Sequence, residues 1–223
     1  MDIMQIVANI ILIFFPFLFA LCFHEFSHGW VAKLKGDNTA QMMGRLTLNP
    51  LVHMDVIGTL VLPLIAIFSI TQGGPSFFFG WAKPVPVSIR NLKNPRTDMF
   101  WIALAGPLSN VLLALIGAFI YVFLMTKMNF ESQEVIKKMF SMFIITNVSL
   151  AVFNMIPIHP LDGGKVLARF LPASLNYKLE QNEHISSIIL LLIFVTGMGT
   201  IIAWPIHLLT NAIINMAVFV IAR

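Results

Sequence analysis

Long apolar stretches separated by short polar segments organise this chain. Three stretches are long enough to cross a lipid bilayer as helices, at about residues 5–30, 99–125 and 139–155. A fourth stretch, 185–221, is broken by Gly197, Gly199 and Pro205, and it predicts two short spans in a hairpin. Residues 57–70 are apolar but short for a span, which favours a re-entrant hairpin. The pattern predicts an all-α membrane protein, a polytopic helical bundle of about five to six transmembrane segments.

Two segments between the apolar stretches have an extended pattern. Residues 45–48 alternate between polar and apolar side chains, which predicts a short strand. Residues 77–88 contain Pro84 and Pro86 at alternate positions. Prolines exclude a central strand but suit an extended edge. The length of 223 residues suits one domain, 1–223, and we find no internal repeat.

Composition places the chain in the membrane. It is 58% hydrophobic and 11% charged, with a mean hydropathy of +0.86, whereas soluble domains carry about 25% charged residues. The net charge of +4 gives no argument for a nucleic-acid partner. With the N-terminus outside and five crossings, 11 of the 14 lysines and arginines lie on the cytoplasmic side, leaving Lys127, Lys137 and Lys138 outside.

The end of the first apolar stretch carries a chemical motif, His24-Glu25-Phe26-Ser27-His28. Two histidines four residues apart lie on the same face of a helix, one turn from each other. Imidazole is a common zinc ligand, and a glutamate in this H-E-x-x-H pattern can take a proton from a water bound to the ion. The alternative is a polar helix face in a soluble protein. An apolar span weakens that alternative, because buried ionisable groups must be paired or bound.

A catalytic zinc site needs a third protein ligand, which must come from elsewhere in the chain. Asp162 follows the third span, at the membrane edge where the first span carries its histidines, and Gly163 and Gly164 let the backbone turn tightly around it. The alternative role for Asp162 is to cap the helix that follows it. The pair His53 and Asp55 is the second choice, as a ligand pair or a structural clamp. The remaining candidates are Asp37, Asp98 and His159.

Two paired motifs resemble the site-2 protease family of intramembrane metalloproteases. They are the H-E-x-x-H motif and the segment from Asn154 to Gly164, which contains Leu161-Asp162-Gly163. The segments 44–50 and 105–110 are similar to those of a compact bacterial and archaeal branch, and the resemblance covers about residues 5–170. The chain leaves no room for a PDZ or CBS domain.

The resemblance implies a set of roles for residues of this chain. His24, His28 and Asp162 would bind one zinc ion per chain, Glu25 would be the catalytic base, and Asn154 would lie beside the site. Asn154 could hold the oxyanion, or it could instead make an interhelical hydrogen bond.

The resemblance also implies a function and a location. We expect an intramembrane zinc metalloendopeptidase in a prokaryotic cell membrane, hydrolysing membrane-spanning protein or peptide substrates near the cytoplasmic face. The expected partners are this substrate and the lipid bilayer, with no nucleic acid. The alternatives are a divalent-metal transporter and a non-catalytic membrane binding protein. The sequence carries no signal for an oligomeric state.

Overall fold

The computed structural model describes residues 3–71, 80–127, 133–195 and 200–221. Ten α-helices are found in these ranges, with a π-helical segment Val56–Val61 before α4 and a 3₁₀ turn Ile89–Asn91 before α5. The helices are α1 Ile3–Leu34, α2 Thr39–Met42, α3 Pro50–His53, α4 Leu62–Thr71, α5 Pro95–Lys127, α6 Gln133–Asn154, α7 Asp162–Ala168, α8 Ala173–Gln181, α9 Glu183–Val195 and α10 Thr200–Ile221.

The prediction of an all-α membrane protein is confirmed. Among the described residues, four helices are long and apolar enough to cross a membrane, over Ile10–Leu34, Pro95–Thr126, Glu134–Asn154 and Ile201–Ile221. The first three correspond to the predicted spans, and α1 continues through Pro16 without a break. Helix α9, the first half of the predicted C-terminal hairpin, has only 13 residues. The total number of crossings stays a prediction.

The apolar segment predicted to be re-entrant forms the π-helical segment and α4. Its apolar part, Val56–Ser69, is shorter than the four candidate spans. Asp55 begins it by accepting hydrogen bonds from the backbone N–H groups of Ile57 and Gly58, at 3.0 and 2.7 Å. The carboxylate thus satisfies two of the free donors at the helix start.

Helix α5 lies at the centre of the bundle and packs against α1, α6, α7 and α10. Small side chains allow these helices to approach closely. Ala114 and Ala118 of α5 are fully buried against Ile144 and Val148 of α6 and Ala217 of α10. The contacts between α1 and α5 are antiparallel, since Ala20 lies beside Asn110 and His28 lies beside Ile102. Helix α6 is antiparallel to α5 in the same way, so α1 and α6 end on the same side of the bundle.

The predicted strand at residues 45–48 is wrong. These residues form a bend between α2 and α3, because the side chain of Asn49 caps α3 and the positive φ of Gly44 (66°) turns the chain after α2. Of the predicted extended edge, residues 77–79 lie outside the described ranges. Residues 80–88 lie outside any helix, and we call them the edge segment.

A buried carboxylate fixes the edge segment to the end of α1. Asp37 is fully buried and accepts hydrogen bonds from the backbone N–H of Ser88 at 2.7 Å, from the side chain of Asn91 at 2.8 Å, and from Thr39. Burial alone raises the pKa of Asp37, but the hydrogen bonds from Thr39, Asn91 and Ser88 outweigh it and hold the pKa below its ordinary value. Asp37 is therefore an ionised structural acceptor.

Candidate metal centre

Three side chains from distant parts of the chain converge at the cytoplasmic end predicted for α1. The Nε2 atoms of His24 and His28 lie 3.0 Å apart. The Oδ2 atom of Asp162, at the start of α7, lies 3.0 Å from the first and 3.2 Å from the second. All three side chains are buried. They form the one group of potential ligands of this kind among the described residues.

The hydrogen bonds on the far side of each ring determine its tautomer. Nδ1 of His28 lies 2.6 Å from the carbonyl oxygen of Ile102, which can only accept, so this nitrogen carries a proton. Nδ1 of His24 lies 2.7 Å from Oδ1 of Asn110. The amide of Asn110 is oriented by its Nδ2, which donates to the Ala20 carbonyl and to Asn147 Oδ1, each at 3.0 Å. Neutral imidazoles in this arrangement present unprotonated Nε2 atoms to each other.

The arrangement fits a bound cation. Two imidazole lone pairs and a carboxylate oxygen within 3.2 Å of one another repel unless a positive charge lies between them. Zinc bonds of about 2.0–2.1 Å to nitrogen and oxygen, at tetrahedral angles, separate two ligand atoms by about 3.3 Å. The observed spacings are close to that value, and both imidazoles donate their second N–H as zinc-binding histidines do.

Glycines make room for the site on two sides. A Cβ atom at Gly106 of α5 would lie 2.4 Å from His28 Nε2 and 2.7 Å from His24 Cε1. A Cβ atom at Gly163 would lie 2.4 Å from the carbonyl oxygen of Ile156. Neither glycine has a positive φ, so each is needed for space rather than for an unusual backbone conformation. The capping alternative for Asp162 is not what the structure shows, since Leu161 is the N-cap residue of α7.

Glu25 faces a cavity of about 460 Å³ beside the three ligands. The cavity is lined by residues of α1, the edge segment, α6 and α9, among them His24, Ala82, Asn154 and Ser187. Oε2 of Glu25 accepts a hydrogen bond from the backbone N–H of Val85 at 2.8 Å.

Asn154 is the last residue of α6, and its Nδ2 donates to the carbonyl of Leu150 at 3.0 Å. One N–H of its amide thus remains available to the cavity.

The other candidate ligands lie outside the group of three, and His53, Asp55 and Asp98 have structural partners. Nε2 of His53 lies 2.8 Å from the carbonyl of Thr47, and Asp55 caps the π-helical segment. Asp98 accepts from the backbone N–H of Asn94 at 2.8 Å and pairs with Lys35 at 3.5 Å, as expected for a residue at a helix start. His159 is buried in the turn before Asp162, outside the group of three.

Sequence reasoning missed the residues that orient the histidines. The segment 105–110 contributes only a family resemblance at the level of sequence, but in the structure Gly106 and Asn110 both contact the imidazoles. Asn147 of α6 extends this hydrogen-bond network by accepting a hydrogen bond from Asn110. Both asparagines are fully buried. An asparagine in an apolar span is a signal that could have been used, because it must find hydrogen-bond partners there.

Comparison with known proteins identifies the family. The family model described as "Peptidase family M50" matches residues 12–135 and 124–197. The chain belongs to peptidase family M50, the site-2 proteases. YwhC of Bacillus subtilis (strain 168), provisionally named a zinc metalloprotease, is 37% identical over 186 residues, covering 82% of this chain and 79% of YwhC.

A second relative agrees with this assignment. Rip2 of Mycolicibacterium smegmatis (strain ATCC 700084 / mc(2)155), also provisionally named a zinc metalloprotease, is 30% identical over 160 residues. The alignment covers 70% of this chain and 56% of Rip2. No solved structure matches the chain. The family and the four apolar helices together make this an integral, multi-pass membrane zinc metalloprotease.

Adding a methyl group at Gly106 tests the geometry of the three ligands. We expect Gly106→Ala to lose bound zinc, because its Cβ would overlap both imidazoles. Metal analysis of the purified protein measures this. Gly117→Ala is the matched control, since the atoms nearest to its Cβ would belong to Phe143 and Ile144, away from the imidazoles. Equal zinc content in Gly106→Ala and the wild type would show that the ligand positions are not those described.

Truncating Asn110 tests the orientation of His24. Asn110→Ala removes the acceptor for His24 Nδ1, and loss of such an outer partner lowers metal affinity by about 10- to 100-fold. Competition with a zinc chelator measures the affinity. Ser109→Ala is the control, since the Ser109 hydroxyl donates to the Gly106 carbonyl within α5. An affinity unchanged from the wild type would contradict the orienting role.

Proposed function

We propose that this chain is a single-domain intramembrane zinc metalloendopeptidase that hydrolyses membrane-spanning substrates near the cytoplasmic face of a prokaryotic membrane. The observation that carries the proposal is the convergence of His24, His28 and Asp162 beside a cavity into which Glu25 faces. A catalytic zinc site uses three protein ligands and keeps one position open. The zinc metalloprotease names of the two relatives support zinc as the metal, and in this proposal one ion per chain is held by the three side chains.

The residues of the site divide the chemistry of hydrolysis among them. A bound zinc ion supplies Lewis acidity, which acidifies water and polarises the scissile carbonyl. Glu25 takes the proton of the attacking water as its oxygen adds to the carbonyl carbon, and it passes that proton to the amine when the C–N bond breaks. Oε2 of Glu25 is held by Val85, so Oε1 is the oxygen that receives the proton.

Asn154 is placed to assist the same step. It lines the cavity together with His24 and Glu25. The N–H that is not bonded to Leu150 can donate to the oxyanion that develops on the scissile carbonyl. The hydrogen bond from Asn154 to the Leu150 carbonyl lies within α6. It therefore does not support the alternative role of Asn154 in an interhelical hydrogen bond.

A substrate helix must unwind before its peptide bonds become accessible, because helical hydrogen bonds shield them. The edge segment offers the extended peptide a partner. The N–H groups of Trp81 and Lys83 donate to the carbonyls of Gly58 and His53, toward the body of the protein. Ala82, between them, lines the cavity. Its N–H and C=O, which have no partner among the described residues, can pair with a substrate strand.

The charge distribution supports a cytoplasmic active site. Lys33 and Lys35 lie at the end of α1 that follows the histidines. Arg90 and Lys93 precede α5, and Arg96 lies in its first turn, on the same side. Asp162 and Lys165 also lie at this end. Basic residues concentrate on the cytoplasmic side of membrane proteins. Water therefore reaches the cavity from that side.

Replacing Glu25 by glutamine tests its role as the base. Glu25→Gln keeps an oxygen that can accept from Val85 N–H, so we expect the structure and the zinc content to be unchanged. Proteolysis should fall by about 10²- to 10⁴-fold, because an amide cannot take the proton. The measurement is cleavage of a single-span substrate co-reconstituted in liposomes, with metal analysis of the same preparation.

The control for this substitution is Ser27→Ala. Ser27 lies in the same helix turn, and its hydroxyl donates to the carbonyl of Phe23 at 2.7 Å. We expect this variant to keep both zinc and cleavage. Wild-type cleavage by Glu25→Gln would refute the assigned mechanism, and zinc transport into the liposomes without cleavage would favour a transporter.

A further inference from the structure

Arg45 is a buried cation that the proposed mechanism does not use. It is 8% exposed, and no carboxylate of the described residues lies within ion-pair distance of it. It belongs to the segment 44–50 that the sequence singled out. A guanidinium buried without a counter-ion is costly unless its charge is satisfied by other groups.

Two carbonyls of the edge segment partly satisfy that charge, while Nε of Arg45 is buried without a partner among the described residues. One terminal nitrogen of Arg45 donates to the Lys83 carbonyl at 2.7 Å and to the Pro84 carbonyl at 3.3 Å. The backbone around Arg45 is itself fixed, because its N–H donates to the Ala40 carbonyl at 2.8 Å and Gly44 supplies the turn. The bend that replaced the predicted strand therefore directs Arg45 at the edge segment.

The peptide group between Pro84 and Val85 contacts Arg45 on one side and Glu25 on the other. The carbonyl of Pro84 and the N–H of Val85 belong to one planar peptide unit and point in opposite directions. Arg45 donates to that carbonyl, and Val85 N–H donates to Oε2 of Glu25. A cation on the carbonyl and an anion on the N–H polarise the peptide in the same sense, so each hydrogen bond strengthens the other.

We propose that Arg45 is a positioning residue for Glu25, acting through the Pro84–Val85 peptide. The guanidinium holds this peptide so that Val85 N–H fixes one carboxylate oxygen and leaves the other turned to the cavity. This inference rests on the proposed function of Glu25. The segment 44–50 then does more than connect α2 to α3, because its Arg45 helps to orient the catalytic carboxylate.

The kinetic test uses Arg45→Gln in the liposome cleavage assay. We expect kcat to fall by about 10- to 100-fold, as for a misplaced catalytic group, with KM changed by less than about twofold and zinc content unchanged. Arg90→Gln is the matched control, because Arg90 is an exposed arginine of the nearby 3₁₀ turn. Loss of zinc from Arg45→Gln, or a kcat equal to that of the control, would overturn the proposal.

The conservative variant separates positioning from folding. Both contacts of Arg45 come from one nitrogen atom, which a lysine ammonium can replace. We therefore expect Arg45→Lys to recover part of the kcat lost in Arg45→Gln. A lysine variant that folds and binds zinc but is as slow as the glutamine variant would contradict the role.

A double-mutant cycle tests the coupling without relying on catalysis. Melting temperatures are measured for wild type, Arg45→Gln, Glu25→Gln and the double variant. Because Arg45 and Glu25 strengthen each other's bond to one peptide, the drop in Tm from Arg45→Gln should be smaller in the Glu25→Gln background than in the wild type. Additive shifts would overturn the proposal. Coupled shifts together with wild-type cleavage by Glu25→Gln would keep the positioning contact and reject Glu25 as the base.

Discussion

Mutual repulsion among three electron-pair donors is the constraint around which this structure is arranged. His24 Nε2, His28 Nε2 and Asp162 Oδ2 lie within 3.2 Å of one another in a buried site. Such a cluster favours a cation between its members, and the fold must bring the donors together and hold them against their repulsion. Helix α5 does so from one side, through the Ile102 carbonyl and the Asn110 amide.

Burying the polar groups that orient the site in an apolar bundle is destabilising unless they are hydrogen-bonded. In this structure they form hydrogen bonds with one another and with the backbone. Asn110 reaches α1 through His24 and the Ala20 carbonyl, and it reaches α6 through Asn147. Asn147 in turn donates to the Phe143 carbonyl. Each buried amide therefore has partners, and the chain of hydrogen bonds fixes the register of α1, α5 and α6. Packing of Ala114 and Ala118 alone would leave that register less closely defined.

The loops between α1 and α5 complete the site from the opposite direction. Asp37 anchors the end of the edge segment, and Arg45 and the His53 carbonyl hold its middle. The same backbone thereby contacts Glu25 and borders the cavity. An extended segment held beside the candidate metal ligands suits the proposed reaction, whose substrate must itself be extended, because an ordered partner lowers the entropy lost on binding.

The sequence by itself determined the membrane helices, the family resemblance and the residue types of the candidate ligands. Those signals are local: apolar length predicts a span, and a four-residue spacing places His24 and His28 on one helix face. It did not determine that residues 45–48 bend rather than pair, or that His53 and Asp55 are structural. It also did not show the contacts of Gly106 and Asn110 with the imidazoles. These outcomes depend on which helices become neighbours, and contacts between residues 74 to 138 positions apart exist only once α1, α5 and α7 have packed together.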